Sequence, residues 1–443
     1  MRTLPLIPLL ALFVGSTPLG AGQDKTEVKE DQKKGLDSIK EADLKKHAEF
    51  LASDELEGRN AGYPGCVKAG DYIAAHFKES GLKPCGDLGT YFQNFEFPTR
   101  DDRGGGKPGS SKTRNVVGII EGADAKLKSE IVILGAHYDH VGTSTQADSG
   151  RMTDRGDRGD KVWNGADDNG SGTIALMEIA QAFKESGVKP KRTILFIAFS
   201  AEEHGLFGSY WYCDHPIFPL DKTSLMINLD MVGRNDDKAV GTHGVGTAKN
   251  GELKKVVEDA VKLTGLNANL IDMGDIKKED SDHYPFFKKE VPAMFFFTEL
   301  HADYHQKTDT ADKLAYPNVE KISRATFLIL IEAANRKERF VFNGPRSLGV
   351  KIKGDLSNAE AKKAKLADDE GGLVISEVIA KSVAEAAGIK KDDVIVEFNG
   401  VKLPRRNPKA TLDAELAKVT DKPVKVIVLR NGGRVELKAQ WKP

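Results

Sequence analysis

The chain has 443 residues, of which 40% are hydrophobic and 44 are glycine, enough for one large core and a second, small domain. Its 65 Lys and Arg residues against 66 Asp and Glu residues leave a formal net charge of -1. No charge excess therefore favours nucleic acid or an anionic membrane surface as a partner, and a small substrate or a peptide fits better.

The first residues have the pattern of a secretory signal peptide. A charged start at Met1-Arg2 precedes a short apolar run over residues 4–15, and small residues follow up to Gly22. The apolar run is too short to span a bilayer, and a retained anchor is the alternative. No other segment is apolar enough to cross a membrane. We expect residues 1–22 to be removed, leaving an exported protein, periplasmic or extracellular, without an integral membrane segment.

Hydrophobic periodicity predicts helices that alternate with strands up to residue 336. Helices are predicted around Leu44 and His47 and over residues 67–80, 173–184, 253–263 and 319–334; strands are predicted over 116–120, 131–134, 193–199, 224–230 and 293–297. The charged, Gly-rich segment 101–112 is predicted to be a surface loop. This alternation predicts an α/β domain over residues 23–336, with a mixed, mostly parallel sheet sandwiched by helices.

A change of pattern marks a second domain. Residues 337–346 are charged and contain Asn343-Gly344-Pro345, which predicts a linker. Residues 347–443 then form a compact α+β module of about 100 residues, a usual domain size. Its strands are predicted over 348–352, 372–378, 393–398 and 424–430, and its helices over 382–387 and 411–418.

Cys66, Cys85 and Cys213 are the cysteines of the chain. In an oxidising compartment, one disulfide and one free thiol can form, with Cys66–Cys85 as the first choice of pair; three buried free thiols are the alternative. The cysteine spacing does not fit a zinc finger, so cysteines are not expected to bind metal.

Clusters of potential metal ligands occur in a fixed order along the chain. They lie in residues 135–139, 165–172, 201–205, 228–231 and 303–305. Each cluster follows a predicted strand or lies in the loop after one, and the carboxyl ends of parallel strands meet at one edge of a sheet. Two histidines and three carboxylates, one of them bridging, supply three ligands to each of two ions, which suits zinc or cobalt.

Each cluster taken alone has a simpler interpretation. His137 and Asp139 could form an ordinary hydrogen-bonded pair, in which the carboxylate accepts the ring N–H. Asp168 and Asp230 could cap helices. His305 could be an ordinary surface histidine.

The adjacent acids Glu202 and Glu203 are more telling. At the mouth of a sheet they repel each other unless a cation separates their roles, one as a metal ligand and the other as a proton acceptor. A solvated acidic turn is the alternative.

The ordered set of clusters resembles the secreted co-catalytic zinc aminopeptidases related to bacterial leucyl aminopeptidase and glutamate carboxypeptidase II. The resemblance spans roughly residues 40–335 and implies the zinc exopeptidase fold. The segments that carry it are 51–59, 135–142, 164–172, 199–209, 228–234, 281–283 and 303–310. The charged loop between Thr143 and Trp163 does not align with that family.

The resemblance implies a ligand set for two Zn²⁺ ions, with Co²⁺ or Mn²⁺ as alternative ions. His137 and Asp230 would hold one ion, Glu203 and His305 the other, and Asp168 would bridge them. By the same resemblance, Glu202 would be the general base, Asp139 would orient His137, and Tyr304 would steady the oxyanion; Asp282 and His283 would lie near the substrate.

The implied activity is that of an exported dizinc aminopeptidase. A hydroxide bridging the metals would attack the carbonyl of the N-terminal residue of a peptide, and Glu202 would take the proton. The free α-amine of the peptide would bind one zinc. The alternatives are a carboxypeptidase, a dipeptidase or a glutaminyl cyclase on the same fold, or a peptide-binding scaffold with a silent hydrolase domain.

The terminal module resembles a bacterial PDZ domain. Ser347-Leu348-Gly349-Val350 fits the loop that holds a peptide carboxylate, and residues 371–375, 384–389 and 392–395 follow in the usual order. Such a domain binds a C-terminal peptide as an added strand, so this peptide is a second expected partner. A purely structural appendage is the alternative.

Overall fold

The computed structural model describes residues 28–99, 109–146, 161–344, 346–380, 382–419 and 422–441. The expected signal peptide, residues 101–108 of the predicted surface loop and residues 147–160 of the loop before Trp163 lie outside these ranges. Across the described ranges, no helix combines the length and the apolar character that a membrane span requires.

The helices are α1 (Glu30–Ser38), α2 (Glu41–Leu51), α3 (Pro64–Glu79), α4 (Gly172–Ser186), α5 (Phe207–Asp214), α6 (Glu252–Thr264), α7 (His283–Lys288), α8 (Tyr316–Asn335), α9 (Asn358–Lys363), α10 (Val383–Ala387) and α11 (Pro408–Leu416).

The strands of the first domain are β1 (Lys83–Pro84), β2 (Phe92–Thr99), β3 (Gly109–Ile120), β4 (Ile131–His137), β5 (Gly142–Thr143), β6 (Val162–Trp163), β7 (Thr193–Phe199), β8 (Thr223–Leu229), β9 (Val240–His243), β10 (Ala268–Ile271) and β11 (Ala293–Phe297). Those of the second are β12 (Val350–Asp355), β13 (Leu373–Val378), β14 (Val394–Phe398), β15 (Val401–Lys402), β16 (Val424–Arg430) and β17 (Gly433–Ala439).

A mixed sheet forms the centre of the first domain. Its order is β1-β3-β7-β4-β8-β11-β9-β10, and β2 pairs with β3. The central strands β7, β4, β8 and β11 run parallel, while β3 is antiparallel to β7, and β9 to β11. The predicted α/β class and mostly parallel sheet are confirmed.

Helices cover both faces of this sheet, which explains why its strands read as unbroken apolar runs. Alternate residues of one strand enter opposite cores: Val132 and Leu134 pack with α2, α3, α4 and α8, whereas Ile131 and Ile133 pack with α5 and α7. The sandwich predicted from the alternation of helices and strands is therefore the observed one.

Several local expectations need correction. Residues 109–112 of the predicted surface loop belong to β3, where they pair with β2 as far as Gly109 opposite Thr99. Strand β2 escaped prediction although its side chains alternate between buried and exposed. Pairing between β2 and β3 lengthens both strands, and the composition of either segment alone does not reveal this pairing.

The expected Cys66–Cys85 disulfide is wrong, because all three cysteines are free thiols. Cys66 belongs to the core on the α3 and α4 side of the sheet, whereas Cys85 packs against the core on the α5 and α7 side. The sheet thus separates the two sulfur atoms.

Part of the predicted linker 337–346 is buried. Phe340 is 2% exposed and Phe342 is 6% exposed, and each side chain packs in a core of the first domain. The backbone N–H of Asn343 donates to the carbonyl of Thr247 at 2.6 Å. Residues 340–343 of the predicted linker therefore pack on the first domain.

The second domain has its own core and an antiparallel sheet in the order β12-β13-β14-β16-β17, with β15 paired to β14. Strand β12 occupies one end of this order. Leu348, in the expected carboxylate loop, is 2% exposed and packs in the core of the domain.

Candidate metal centre

The predicted site residues converge at the carboxyl ends of the central parallel strands. His137 ends β4, Glu202 and Glu203 follow β7, Asp230 follows β8, and His305 lies in the loop after β11. Asp168 lies in the turn that leads into α4. Parallel strands thus bring together residues that are up to 168 positions apart in the chain, which is 305 minus 137.

One group of possible ligands consists of His137, Asp168 and Asp230. Nε2 of His137 lies 3.4 Å from Oδ1 of Asp168 and 3.3 Å from Oδ1 of Asp230. All three residues are buried, with exposures of 1%, 4% and 7%. Ser281 donates its hydroxyl hydrogen to Oδ2 of Asp230, which leaves Oδ1 directed at the histidine.

A second group consists of His140, Asp168, Glu203 and His305. Nε2 of His305 lies 3.0 Å from Oδ2 of Asp168 and 3.1 Å from Oε2 of Glu203. Asp168 thus presents its two oxygens to two different histidines, Oδ1 to His137 and Oδ2 to His305. The two groups share this one carboxylate.

The donor set fits two dications. Two ligand atoms that bind one Zn²⁺ at about 2.0–2.1 Å in a tetrahedral geometry lie roughly 3.3–3.4 Å apart, close to the separations seen in both groups. Oδ2 of Asp168 and Oδ1 of Asp230 are buried and lie beside ring nitrogens of His305 and His137. Buried carboxylates are costly unless positive charge neutralises them.

The electrostatics of the histidines agree with this fit. Burial alone would lower the pKa of His305, but the carboxylates of Glu203 and Asp168 raise it to about 11. Burial likewise opposes protonation of His137, yet Glu202 and Asp230 raise its pKa well above the ordinary value. The surrounding carboxylates therefore draw positive charge to both imidazoles, and a metal ion at either place supplies that charge.

His140 is a site residue that sequence reasoning did not single out. It is fully buried, and its Nδ1 lies 2.9 Å from Oε1 of Glu203 and 3.7 Å from Oδ2 of Asp168. Its position three residues after His137, in the same strand-end segment, was the available signal. The second group consequently offers one more nitrogen ligand than the sequence predicted.

Glu202 lies beside both groups with an exposure of 7%. Its Oε2 is 3.9 Å from Nε2 of His137. Burial raises the pKa of Glu202 well above its usual value, and the charges of Glu203 and Asp230 add to the effect, although His137 opposes it. This carboxylate therefore has a high affinity for a proton, as a general base requires.

Asp139 holds the backbone of the two adjacent acids and also lies beside the ring of His137. Its Oδ1 accepts the backbone N–H of Glu202 at 3.2 Å, and its Oδ2 accepts that of Glu203 at 3.4 Å. Nδ1 of His137 lies 3.7 Å from the carboxylate but 3.2 Å from the carbonyl oxygen of Asp139. Both the carboxylate and the carbonyl of Asp139 thus lie beside Nδ1 of His137, and orientation of this ring by Asp139 stays a prediction.

Tyr304 lies at the rim of the site. Its ring stacks on His305 with a centroid distance of 4.0 Å, and its side chain is partly exposed. Burial, together with the charges of Asp168 and Glu203, raises the pKa of Tyr304, so its hydroxyl keeps its proton and can donate.

Asp282 and His283, which are expected near the substrate, are both fully buried. His283 stacks on Phe295 at 4.6 Å, and burial lowers its pKa to about 3, so the ring is neutral. Burial raises the pKa of Asp282 to about 7. The two residues lie where α7 begins and packs on the sheet, behind the metal ligands.

Buried charges position the turn that carries Asp168. Arg59 is 1% exposed and donates to the carbonyls of Tyr138 at 2.8 Å, Asn164 at 2.6 Å and Gly165 at 2.7 Å. From the other side, Oδ2 of Asp309 accepts the backbone N–H of Asp168 at 3.1 Å. Arg59 and Asp309 lie in segments that carry the resemblance, but the sequence did not show which backbone groups they bind.

Comparisons with known proteins agree with this geometry. Residues 115–330 match the model of peptidase family M28, and residues 339–429 match that of the PDZ domain. The aminopeptidase YwaD of Bacillus subtilis is 28% identical over 256 residues, which cover 56% of this chain and 49% of the relative. The chain spans a third to about half of the length of the curated relatives it matches first.

Solved structures show the same fold at low sequence identity. A zinc aminopeptidase from Bacillus subtilis superimposes with a TM-score of 0.51 at 18% identity, covering 72% of this chain and 100% of that one. A glutaminyl cyclase from Bacteroides thetaiotaomicron gives the same TM-score of 0.51 at 19% identity, covering 66% and 98%. Residues 115–330 are thus identified as an M28 peptidase region, and residues 339–429 as a PDZ domain.

Proposed function

We propose that this chain is an exported dizinc aminopeptidase that removes N-terminal residues from peptides. The observation that carries the proposal is the carboxylate of Asp168, which faces His137 with one oxygen and His305 with the other. An aminopeptidase activity agrees with what the curated relative from Bacillus subtilis is called. The domain would span residues 23–336, extended by the docked segment up to Asn343.

The residues of the two groups would hold one Zn²⁺ each. His137 and Asp230 serve one ion, Glu203 and His305 the other, and Asp168 serves both; Co²⁺ or Mn²⁺ are the alternative ions. Zn²⁺ supplies a Lewis acid that polarises a carbonyl and lowers the pKa of water. His140 adds a nitrogen to the second group, either as a further ligand or as the partner that fixes Glu203.

Glu202 is the proton-transfer group of the proposal. Its carboxylate accepts a proton from the attacking water and returns it to the nitrogen of the leaving peptide. The carboxylate of Asp139 accepts the backbone N–H groups of Glu202 and Glu203. This holds the two acids in fixed positions, so that their side chains keep separate roles. The Tyr304 hydroxyl, held protonated, donates to the oxygen on which negative charge develops.

A glutaminyl cyclase is the second candidate, because a structure of that name shares the fold to the same extent. The expectation for a cyclase is a single zinc and no hydrolysis. The second group, with His305 and Glu203 at 3.1 Å, is what favours two ions and hence the peptidase.

The PDZ domain is proposed to bind extended peptides. In the described part of the domain, β12 ends the strand order and pairs with β13 alone, so its other edge is open to an added strand. Leu348, Gly349 and Val350 form the proposed carboxylate loop, where the positive φ of 80° at Gly349 turns the chain into β12. A second partner, a peptide C-terminus, would dock here. Export rests on the signal-like pattern of residues 1–22.

The substrate test compares peptides that differ only at their N-terminus. We expect release of the first residue from a peptide with a free α-amine and none from its N-acetylated counterpart, because the amine is needed to position the scissile bond. Products are identified by mass spectrometry. Cleavage at the carboxyl end would instead show a carboxypeptidase, and ammonia loss from an N-terminal glutamine without hydrolysis would show a cyclase.

Substitution of Glu202 and Glu203 tests which of the two acids is the general base and which is a metal ligand. Glu202→Gln keeps the shape of the side chain but cannot accept a proton, so we expect both zinc ions to remain and kcat to fall about 10²-fold or more. Glu203→Gln removes an anionic ligand, so zinc affinity, stability and activity should all fall. Metal content and kcat are measured together. Loss of zinc from Glu202→Gln, with retention in Glu203→Gln, would invert the two roles, and full activity of Glu202→Gln would exclude it as the base.

Removal of the PDZ domain tests its part in substrate choice. A chain that ends at Gly344 keeps the buried Phe340 and Phe342. We expect it to hydrolyse a short aminoacyl anilide almost normally and longer peptides more slowly. A chain that ends at Arg339 is the matched control, because it lacks both Phe340 and Phe342. Its free energy of unfolding in urea should be lower by about 3 kcal/mol or more. Equal rates on short and long substrates before and after removal would identify the domain as a structural appendage.

A further inference from the structure

A second cluster of metal-ligating side chains lies among the helices. His47 in α2, His76 in α3 and Glu178 in α4 each offer one ligand atom, and these atoms all lie within 4.8 Å of one another. The cluster shares no residue with the two groups at the ends of the strands. It lies on the face of the sheet that α2, α3 and α4 cover.

The carboxylate of Glu178 has the features of an uncompensated ligand. The residue is 1% exposed, and neither carboxylate oxygen accepts a hydrogen bond of good geometry. Oε1 lies 3.2 Å from Nε2 of His47. A buried carboxylate with one such neighbour and a second oxygen that has no partner is expensive. Oε2 of Glu178 is the atom of the cluster that His47 does not satisfy.

Both histidines are oriented toward ligation. The Nδ1 atom of His47 lies 2.6 Å from the hydroxyl of Tyr72, which leaves Nε2 for Glu178 and an ion. Nε2 of His76 lies 3.0 Å from the carbonyl of Met177, so this nitrogen carries the ring hydrogen and Nδ1 keeps its lone pair. A hydrogen bond to the second ring nitrogen is the usual support of a ligating histidine.

The two imidazoles lie close together, since their rings meet edge to face with centroids 4.8 Å apart. A neutral imidazole is the form that binds metal.

We propose that His47, His76 and Glu178 bind a Zn²⁺ ion that fastens α2, α3 and α4 together, separate from the catalytic centre. Two histidines and one glutamate are a ligand set that zinc accepts, with water in the fourth position. The 3.2 Å between Nε2 of His47 and Oε1 of Glu178 already matches the roughly 3.3–3.4 Å expected between two ligands of one tetrahedral zinc. His47 and His76 are 8% and 7% exposed, which leaves a route to solvent.

This ion would support the catalytic centre without taking part in hydrolysis. Helix α4 begins at Gly172, directly after the turn that carries Asp168, and Glu178 lies about 9 Å further along its axis. Fixing Glu178 to α2 and α3 therefore fixes the helix on which the shared carboxylate depends. Its contribution is to stability, because metal binding to the folded chain alone stabilises it.

The test counts zinc ions in intact protein. Wild type, Glu178→Gln and His76→Gln are equilibrated with excess Zn²⁺, desalted and weighed by native mass spectrometry. We expect each variant to hold one zinc fewer than wild type, and Glu185→Gln, an exposed glutamate on the same helix, to hold as many as wild type. Circular dichroism reports whether each variant is folded, and His76→Gln carries the test if Glu178→Gln does not fold.

The readout is the difference in zinc count between variant and wild type. This difference is the same whether the proposed catalytic centre takes one ion or two. An equal number of zinc ions in wild type and in a folded variant would overturn the proposal and identify the cluster as a metal-free ion pair. Added Zn²⁺ should also raise the unfolding temperature of wild type more than that of His76→Gln.

Discussion

The fold of the first domain is organised around a carboxylate that faces two histidines. Asp168 is 4% exposed, and its oxygens meet His137 on one side and His305 on the other. With Glu202, Glu203 and Asp230 also buried beside it, the site holds more negative charge than its histidines neutralise. Such a concentration of acids is tolerated only with cations present, and the parallel strands, the turn before α4 and the buried Arg59 all serve to build it.

Much of this centre could be predicted because its ligands follow strands that are buried on both faces. The apolar runs 193–199 and 293–297 coincide with β7 and β11 residue for residue, and the ligands follow where such strands end. Pattern and order therefore identified Glu203 and His305 as candidates before any contact was known.

What the sequence could not predict depends on contacts across the fold. The carboxylate of Asp139 binds the backbone after β7, because β4 and β7 lie side by side with His137 opposite Phe199. Cys66 and Cys85 lie on opposite faces of the sheet, and Phe340 is buried although it follows a run of charged residues. In each case the contact that determines the position of the residue is with a segment far away in the chain, so no local sequence pattern predicts it.

The helices carry polar side chains whose role is separate from the strand ends. Glu178 is a buried acid in the mostly apolar helix α4, and His47 from α2 reaches it through tertiary packing. Asp168 lies in the turn directly before α4 and Glu178 lies in α4, so both clusters depend on how this helix is held.

The most direct test of the central claim is X-ray diffraction from crystals of zinc-loaded protein, measured on both sides of the zinc absorption edge. Two anomalous peaks about 3.5–4 Å apart, one on each side of the Asp168 carboxylate, are the result expected for a co-catalytic pair. A single peak between His137 and Asp230, with none between Glu203 and His305, would contradict it.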